Sequence, residues 1–405
     1  MGKTGGDAAV VPALSVPHSV ACLRSLSRRG VRTIAVCEVD TPAFCSRFAH
    51  ERLRTPAPEE NVLEYRDALL WLSIRPDVRT ILPMREEDIY VLSKYRSAFA
   101  EHIRTPWPPF ETIRTAHDRL RLVEEARAAG VQVPETRLLE EAIDWDRERI
   151  VKSRYAMVTD DYVDLESADR CFSPNGIHYL PQGVDPDRNA ILAEMGHEPI
   201  VQEYVPGEEY ALWALYDRGE AVATCGKHQI RGDSYVGGTS VYRKTIRDPE
   251  LEATGRALLD HLDWHGLASV QFKRDANTGT YKLLEVNPRV WASISCPVRA
   301  GLDFPYYYWL VADGSRSGIK SAVEEGGGTV KEGIGTHYVA GELKYLMSIL
   351  REGNPFTEPP RFGDALWGVF SSCLADPGFD HLSVTDPCPF VRELTTTLHE
   401  RLPRK

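Results

Sequence analysis

Glu285 and Asn287 stand two residues apart, directly before Pro288 and Arg289, and Gln271 lies a short stretch upstream. These oxygen-bearing side chains suit a hard cation. Mg²⁺ commonly takes one or two carboxylates and leaves its other positions to water and phosphate. Some element must bring Gln271 to the other two. Residues 268–289, ASVQFKRDANTGTYKLLEVNPR, predict a β-hairpin that does so. Val270, Phe272, Leu284 and Val286 recur at period two and would line its apolar face, with Gln271, Lys273, Glu285 and Asn287 on the other. Asp275-Ala276-Asn277-Thr278-Gly279 supplies turn formers. A turn centred near Thr278 sets Gln271 opposite Glu285, with Cβ atoms roughly 5 Å apart. A bulge would shift that pairing by one residue. Pro288 removes a ladder hydrogen bond and ends the strand, so an acid, an amide and a guanidinium gather at a strand end. The arrangement suggests a nucleotide site. The plain alternative is a half-buried hairpin with a solvated polar face.

Further residues extend that chemistry. Residues 200–209, IVQEYVPGEE, read as an apolar strand running into Pro206-Gly207 and then acids. Such a linker can hold adenine through backbone groups between apolar walls, and Glu209 can accept from both ribose hydroxyls. Lys152 ends the apolar run Ile150-Val151-Lys152. A buried lysine needs a charge partner or loses its proton, and a phosphate is such a partner. A strand-edge lysine snorkelling to water is the other reading. Lys227 follows the strand 221–225 within reach of a γ-phosphate. Arg231, with His228 and Gly237-Gly238-Thr239-Ser240, forms either a carboxylate-binding substrate loop or a surface loop. Arg289 can grip a carboxylate or acyl phosphate with paired hydrogen bonds.

The hairpin resembles the metal hairpin of the ATP-grasp superfamily. More particularly it resembles carboxylate–amine ligases similar to D-aspartate ligases, whose run EFKRD…G.Y.LLE.NPR.W.S is matched by Gln271–Asp275, Gly279, Tyr281, Leu283–Asn287, Pro288, Arg289, Trp291 and Ser293. The resemblance implies metal ligands at Gln271, Glu285 and Asn287. Gln271 stands where an acid is usual, which removes one negative charge and would weaken a second cation. It further implies Gln202 or Glu203 on the adenine amino edge, backbone contacts from Val205, ribose on Glu209, phosphate on Lys152, and catalytic roles for Arg289 and Lys227. His117-Asp118-Arg119 resembles the Asp-Lys that opens many such domains, with Arg in place of Lys. Ser173-Pro174-Asn175-Gly176 is the best candidate for a phosphate-covering loop.

The fold implied is α/β: a pre-ATP-grasp domain over residues 1–110, an ATP-grasp domain over 111–315 with subdomains at about 111–200 and 201–315, and an extension over 316–405. The reaction implied is amide or peptide bond formation. A carboxylate attacks the γ-phosphate of ATP, and an amine then displaces phosphate from the acyl phosphate, with ADP released. ATP and Mg²⁺, or Mn²⁺ in its place, are the expected cofactors, and a small carboxylate and an amine the substrates. Bicarbonate in place of the carboxylate, or a non-catalytic ATP-binding subunit, are the rival readings. Oligomeric state is not readable from the sequence; dimers are common among relatives, so a homodimer is compatible with the resemblance.

Composition is compatible with this. The 405 residues allow two or three domains. A net charge of −11 argues against a nucleic-acid platform. Eight cysteines without a C-x-x-C pair read as thiols in a reducing cytoplasm. No signal peptide or membrane-spanning run is expected. Gly2-Lys3-Thr4 matches the end of a P-loop but lacks the upstream glycine and strand. Nor does Gly6 satisfy the myristoylation pattern. A strand at 10–16, a helix at 18–29 and a strand at 31–39 form a βαβ unit and predict a parallel sheet. Helices are expected at 62–75, 86–99, 116–129 and 248–262. Strands are expected at 80–82, 150–153 and 199–210, with a hairpin at 211–223. Gly326-Gly327-Gly328 is an expected loop.

Overall fold

The computed structural model describes residues 7–142, 144–165, 167–174, 176–325 and 330–401. Gly2-Lys3-Thr4, Gly6, Asn175 and Gly326-Gly327-Gly328 lie outside them. The predicted βαβ unit opens the chain. Ala8–Pro12 pairs in parallel with Arg32–Cys37 and with Val78–Ile81, and Glu51–Arg54 joins at the edge. Every residue of Ala8–Pro12 is buried, as a parallel strand covered on both faces requires. The strand stops at Pro12 rather than running on to 16. There the Ser19 hydroxyl donates to the Pro12 carbonyl and accepts from the Leu14 amide, replacing the ladder.

Two expected helices are broken. The 86–99 helix divides into Glu86–Lys94 and Arg96–Ala100. The 116–129 helix is really Phe110–His117 followed by Arg119–Ala128. Asp118 between them is extended (φ −92°, ψ 100°), and its carboxylate caps the second helix by accepting from the Leu120 amide. The break points His117 and Arg119 in different directions, which matters below.

The strand expected at 199–210 is two strands in two sheets. Ile200–Glu203 lies in a four-stranded antiparallel sheet between Thr136–Leu138 and Arg149–Lys152, with Ile177–Leu180 at the edge. Gly207–Asp217 lies in a six-stranded antiparallel sheet. Residues 204–206 are the link between the two. Gly207 has φ 134°, and a Cβ there would sit 2.0 Å from the Arg274 carbonyl oxygen, so only glycine fits. Across the larger sheet the order is Tyr281–Asn287, Gly266–Asp275, Gly207–Asp217, Glu220–Ser234, Gly237–Ile246 and Gly335–His337. One face packs on helix Pro249–His261, capped by Asp248, through fully buried Leu251, Leu258 and Leu259. Burying each such side chain contributes about 1.5–3 kcal/mol.

Of the several register shifts in this sheet, two reset the faces that matter for the site. In the hairpin Gln271 pairs with Glu285 and Phe272 pairs with Leu283, leaving Leu284 as the extra residue. Leu283, not Leu284 as the alternation predicts, therefore enters the core. In Glu220–Ser234, Gln229 pairs with Arg243 and Arg231 pairs with Tyr242, leaving Ile230 unpaired.

Beyond residue 315 the chain forms helices Arg316–Glu325, Val339–Arg351, Phe362–Ala375 and Cys388–Arg401, and lends Gly335–His337 to the large sheet. Two buried ion pairs tie this region down. Arg243 bonds to Asp380, and Arg24 from the first helix bonds to Asp386 at 2.9 Å.

Candidate functional site

The face of the large sheet turned away from helix Pro249–His261 carries a block of polar side chains. Strand register sets them in rows. Glu285 pairs with Gln271, Gln271 with Ala211, and Ala211 with Lys227. One step along, Lys282 pairs with Lys273 and Lys273 with Glu209. Asn287 pairs with Ser269, one step the other way. Alternation of side chains puts all of these on one face. Lys152, from the four-stranded sheet, feels the charges of Glu285 and Lys273, and Arg119 joins the two sheets beside it, donating to the Ser153 carbonyl at 3.0 Å and to Glu285 at 3.2 Å.

Charges in the cleft between these sheets are held tightly. The Asn287 amide donates to Glu285 Oε1 at 3.1 Å, and Arg119 Nη2 reaches Glu285 Oε2 at 3.2 Å. Burial raises the Glu285 carboxyl, but Arg119 and Lys152 outweigh it and hold the group below the usual carboxylate range. Its side chain still keeps 34% of its surface open, so a ligand can reach it. Burial, with help from Arg119, pushes Lys152 down to about 7. Burial likewise brings Lys227 down to about 8, although Glu209 opposes the shift. Glu209 is itself raised by burial against the pull of Lys227 and Lys273. Gln229 joins the two, accepting from Lys227 Nζ at 3.0 Å and donating to Glu209 at 2.8 Å. Gly237 lies against Glu209: a Cβ there would stand 2.8 Å from the carboxylate. Two depressed lysines facing a carboxylate-lined cleft form a site short of anionic charge, and a polyphosphate would supply it.

At the inter-sheet link, Val205 is buried and Gln202 shares a face with Ile150 and Lys152. Gln202 donates to Thr136 Oγ1 at 2.9 Å, yet its Oε1 is buried with no hydrogen-bond partner. An orphaned acceptor of this kind awaits a donor such as an adenine amino group. Glu203 is engaged by Lys282 at 3.2 Å, a lysine that the Leu284 bulge turns into the cleft.

Arg289 is held from helix Glu86–Lys94. Its Nε donates to Glu86 Oε1 at 2.6 Å and its Nη2 donates to Asn287 Oδ1 at 3.2 Å. His117 Nε2 meets Glu86 Oε2 at 3.1 Å. Burial works against the Glu86 charge, but Arg289 and His117 hold its pKa down at about 2. The helix break at Asp118 thus serves both ends: His117 orients the Glu86–Arg289 pair while Arg119 braces Glu285. His117 and Arg119 belong to the segment whose resemblance the sequence already offered, though without these contacts, whereas Glu86 was not singled out from sequence. Glu86-Glu87-Asp88, three acids in the first turn of a buried helix, were the available signal.

Arg231 is not brought to the cleft. The extra residue Ile230 turns it onto the opposite face, where it pairs with Glu342 at 2.8 Å and donates to Ser372 Oγ at 2.6 Å. Ser173 donates to Glu87 of helix Glu86–Lys94 at 3.2 Å. A separate cavity of about 490 Å³ beside Arg96, Arg218 and Asp313 carries none of these residues.

Among the described residues no group of three or more His, Cys, Asp or Glu is arranged to hold a metal. Gln271, Glu285 and Asn287 offer one carboxylate and two amide oxygens. This donor set fits Mg²⁺ shared with phosphate rather than an ion held by protein alone. No helix among the described residues is long and apolar enough to cross a membrane.

Residues 196–332 match the family described as "ATP-grasp in the biosynthetic pathway with Ter operon". No curated protein matches the chain. Among solved structures, an L-amino acid ligase from Bacillus licheniformis is similar with a TM-score of 0.55 and 14% identity, over 79% of this chain and 77% of the other. The biotin carboxylase domain dimer of Hydrogenobacter thermophilus 2-oxoglutarate carboxylase, in complex with MgADP, ADP and bicarbonate, gives 0.58 and 14%, over 76% and 70%. A Rhizobium etli pyruvate carboxylase gives 0.57 and 15% over 76% of this chain, which spans only 29% of that protein's chain. These likenesses are likenesses of fold, and the fold is ATP-grasp.

Proposed function

We propose that this ATP-grasp protein joins a carboxylate to an amine at the expense of ATP, which leaves as ADP and phosphate. The observation that carries the reading is the single sheet face on which Glu285, Gln271, Lys227 and Glu209 stand in register, with Lys152 feeling the charge of Glu285. In this reading adenine lies at the link 204–206, its amino group donating to Gln202 or Glu203 and its ring meeting the Val205 backbone. Glu209 accepts from the ribose. Lys152 and Lys227 hold phosphate oxygens in protonated form. Mg²⁺ on Gln271, Glu285 and Asn287 would neutralise phosphate charge. Arg289, pre-oriented by Glu86, receives the carboxylate and then the acyl phosphate. The protein supplies no nucleophile; it positions reactants and stabilises charge that builds on the transferred group.

The L-amino acid ligase likeness supports an amine acceptor. The bicarbonate of the carboxylase structure supports the rival in which bicarbonate is the acid. A screen of ADP release over amino acids and small acids, with mass analysis of products, separates them. The expected result is ADP release that needs both an acid and an amine and yields their amide. Release driven by bicarbonate alone favours the carboxylase, and ATP binding without release on any panel member would refute ligase activity.

A further inference from the structure

Helix Phe362–Ala375 is inverted for a surface helix. Its inward side carries the small residues: Ala365 is buried, Gly368 lies beside Arg231, and Ser372 accepts from Arg231. Its outward side carries the large apolar ones. Trp367 and Leu374 are each 67% exposed, Phe370 53%, Leu366 49% and Phe362 40%. At 100° per residue these five fall within an arc of roughly 140°. Asp364, the helix's single charged residue, lies off that arc. Leu350 and Leu343 on the neighbouring helix Val339–Arg351, at 68% and 43%, extend the patch. Elsewhere, exposed Trp71 and Ile74 form only a small pair on helix Val62–Ile74.

We propose that this stripe is the contact face of a two-fold dimer of the chain. The reading is independent of the ligase activity. Three features favour a second copy over another protein. The seven exposed fractions, from side chains of which an aromatic alone buries 150–250 Å², sum to the order of the 800 Å² per partner of a stable interface. The stripe has no charge, as befits homodimer contacts, which are more apolar than those between unlike partners. It is also self-complementary. Crossed antiparallel with its copy, Phe362 of one helix meets Leu374 of the other, and Leu366 and Trp367 meet Phe370. The same crossing brings exposed Arg361 of each copy to the C-terminal end of the other helix, where the macrodipole favours a cation.

Sedimentation velocity of the full chain at micromolar concentration tests this, beside the Leu366→Glu/Trp367→Glu double variant and Trp71→Glu. The expected result is a dimer for the parent and for Trp71→Glu. The double variant should be a monomer, with association weakened at least about a hundredfold. Hydrogen exchange of the parent reads the same face without any substitution: amides of 362–375 should lose protection on dilution. A monomeric parent, a dimeric double variant, dissociation by Trp71→Glu or dilution-independent exchange would each overturn the proposal. So would a monomer that pellets with lipid vesicles, which would assign the stripe to a membrane surface.

Discussion

The bulges at Leu284 and Ile230 in the large sheet do the same thing to the backbone and opposite things to the site. At Leu284 the extra residue comes after the turn but before Glu285, so Gln271, Glu285 and Asn287 keep their shared face while Lys282 swings into the cleft. At Ile230 it falls between Gln229 and Arg231. Gln229 stays with Glu209 and Lys227, while Arg231 is sent through the sheet to Glu342. Two cationic residues four positions apart, Lys227 and Arg231, thereby take separate jobs. A bulge changes function only for the residues beyond it.

The sharpest test of that contrast is a pair of substitutions. Glu285→Ala should lower ADP release by about a hundredfold or more, the scale of losing a preorganised charge in a closed site. Arg231→Ala should leave turnover of the folded protein within about threefold. Equal losses in a well-folded Arg231 variant would break the comparison. The effect of Arg231 should instead appear in stability. Arg231→Met leaves the buried Glu342 with His337 alone and should cost about 2 kcal/mol, read as a lower urea midpoint with an unchanged slope.

The cleft face should also answer to pH. Lys152 at about 7 and Lys227 at about 8 lie below the free lysine value, and phosphate binds their protonated forms. ATP affinity should therefore be full below about pH 6 and fall by pH 9 by about a hundredfold through Lys152 and about a further tenfold through Lys227, with proton uptake on binding detectable by calorimetry in buffers of different ionisation heat. The nucleotide-free protein should do the reverse. Between about pH 7 and 10 its unfolded chain holds a proton that native Lys152 has released, so stability rises with pH there. Lys152→Gln should flatten both slopes; unchanged slopes would remove that lysine from the phosphates. The smallest expected effect is that of Lys282→Gln, which loosens Glu203 and should shift ATP affinity by less than about threefold.

Much of this was legible in the chain. Period-two alternation, turn residues and Pro288 define the hairpin, but its Gln271–Glu285 pairing rests on the bulge: the turn, which sets Lys273 opposite Lys282 and Phe272 opposite Leu283, would alone put Gln271 opposite Leu284. The parallel sheet followed from an apolar βαβ pattern. What failed to read were single-residue events. Nothing in LLEVN says that Leu284 rather than Leu283 leaves the core, and nothing around Ile230 announces an extra residue, because a bulge satisfies local propensity either way. The break at Asp118 was hidden by residues that suit a helix on both sides. Pro206-Gly207 signalled a turn, but that the chain changes sheets there depends on pairings with Arg149–Lys152 and Gly266–Asp275, distant in sequence.

The two ion pairs at Asp380 and Asp386 make the last segment a bolt rather than an appendage. Arg24 belongs to the opening helix and Arg243 to the central sheet, and both guanidinium groups are almost wholly enclosed. Trimming the chain before Asp380 and Asp386 would leave two cations without their partners, each at about 3–5 kcal/mol, against a total stability on the order of 5–15 kcal/mol. A shortened version, however complete its nucleotide cleft, is therefore expected to come out of expression insoluble.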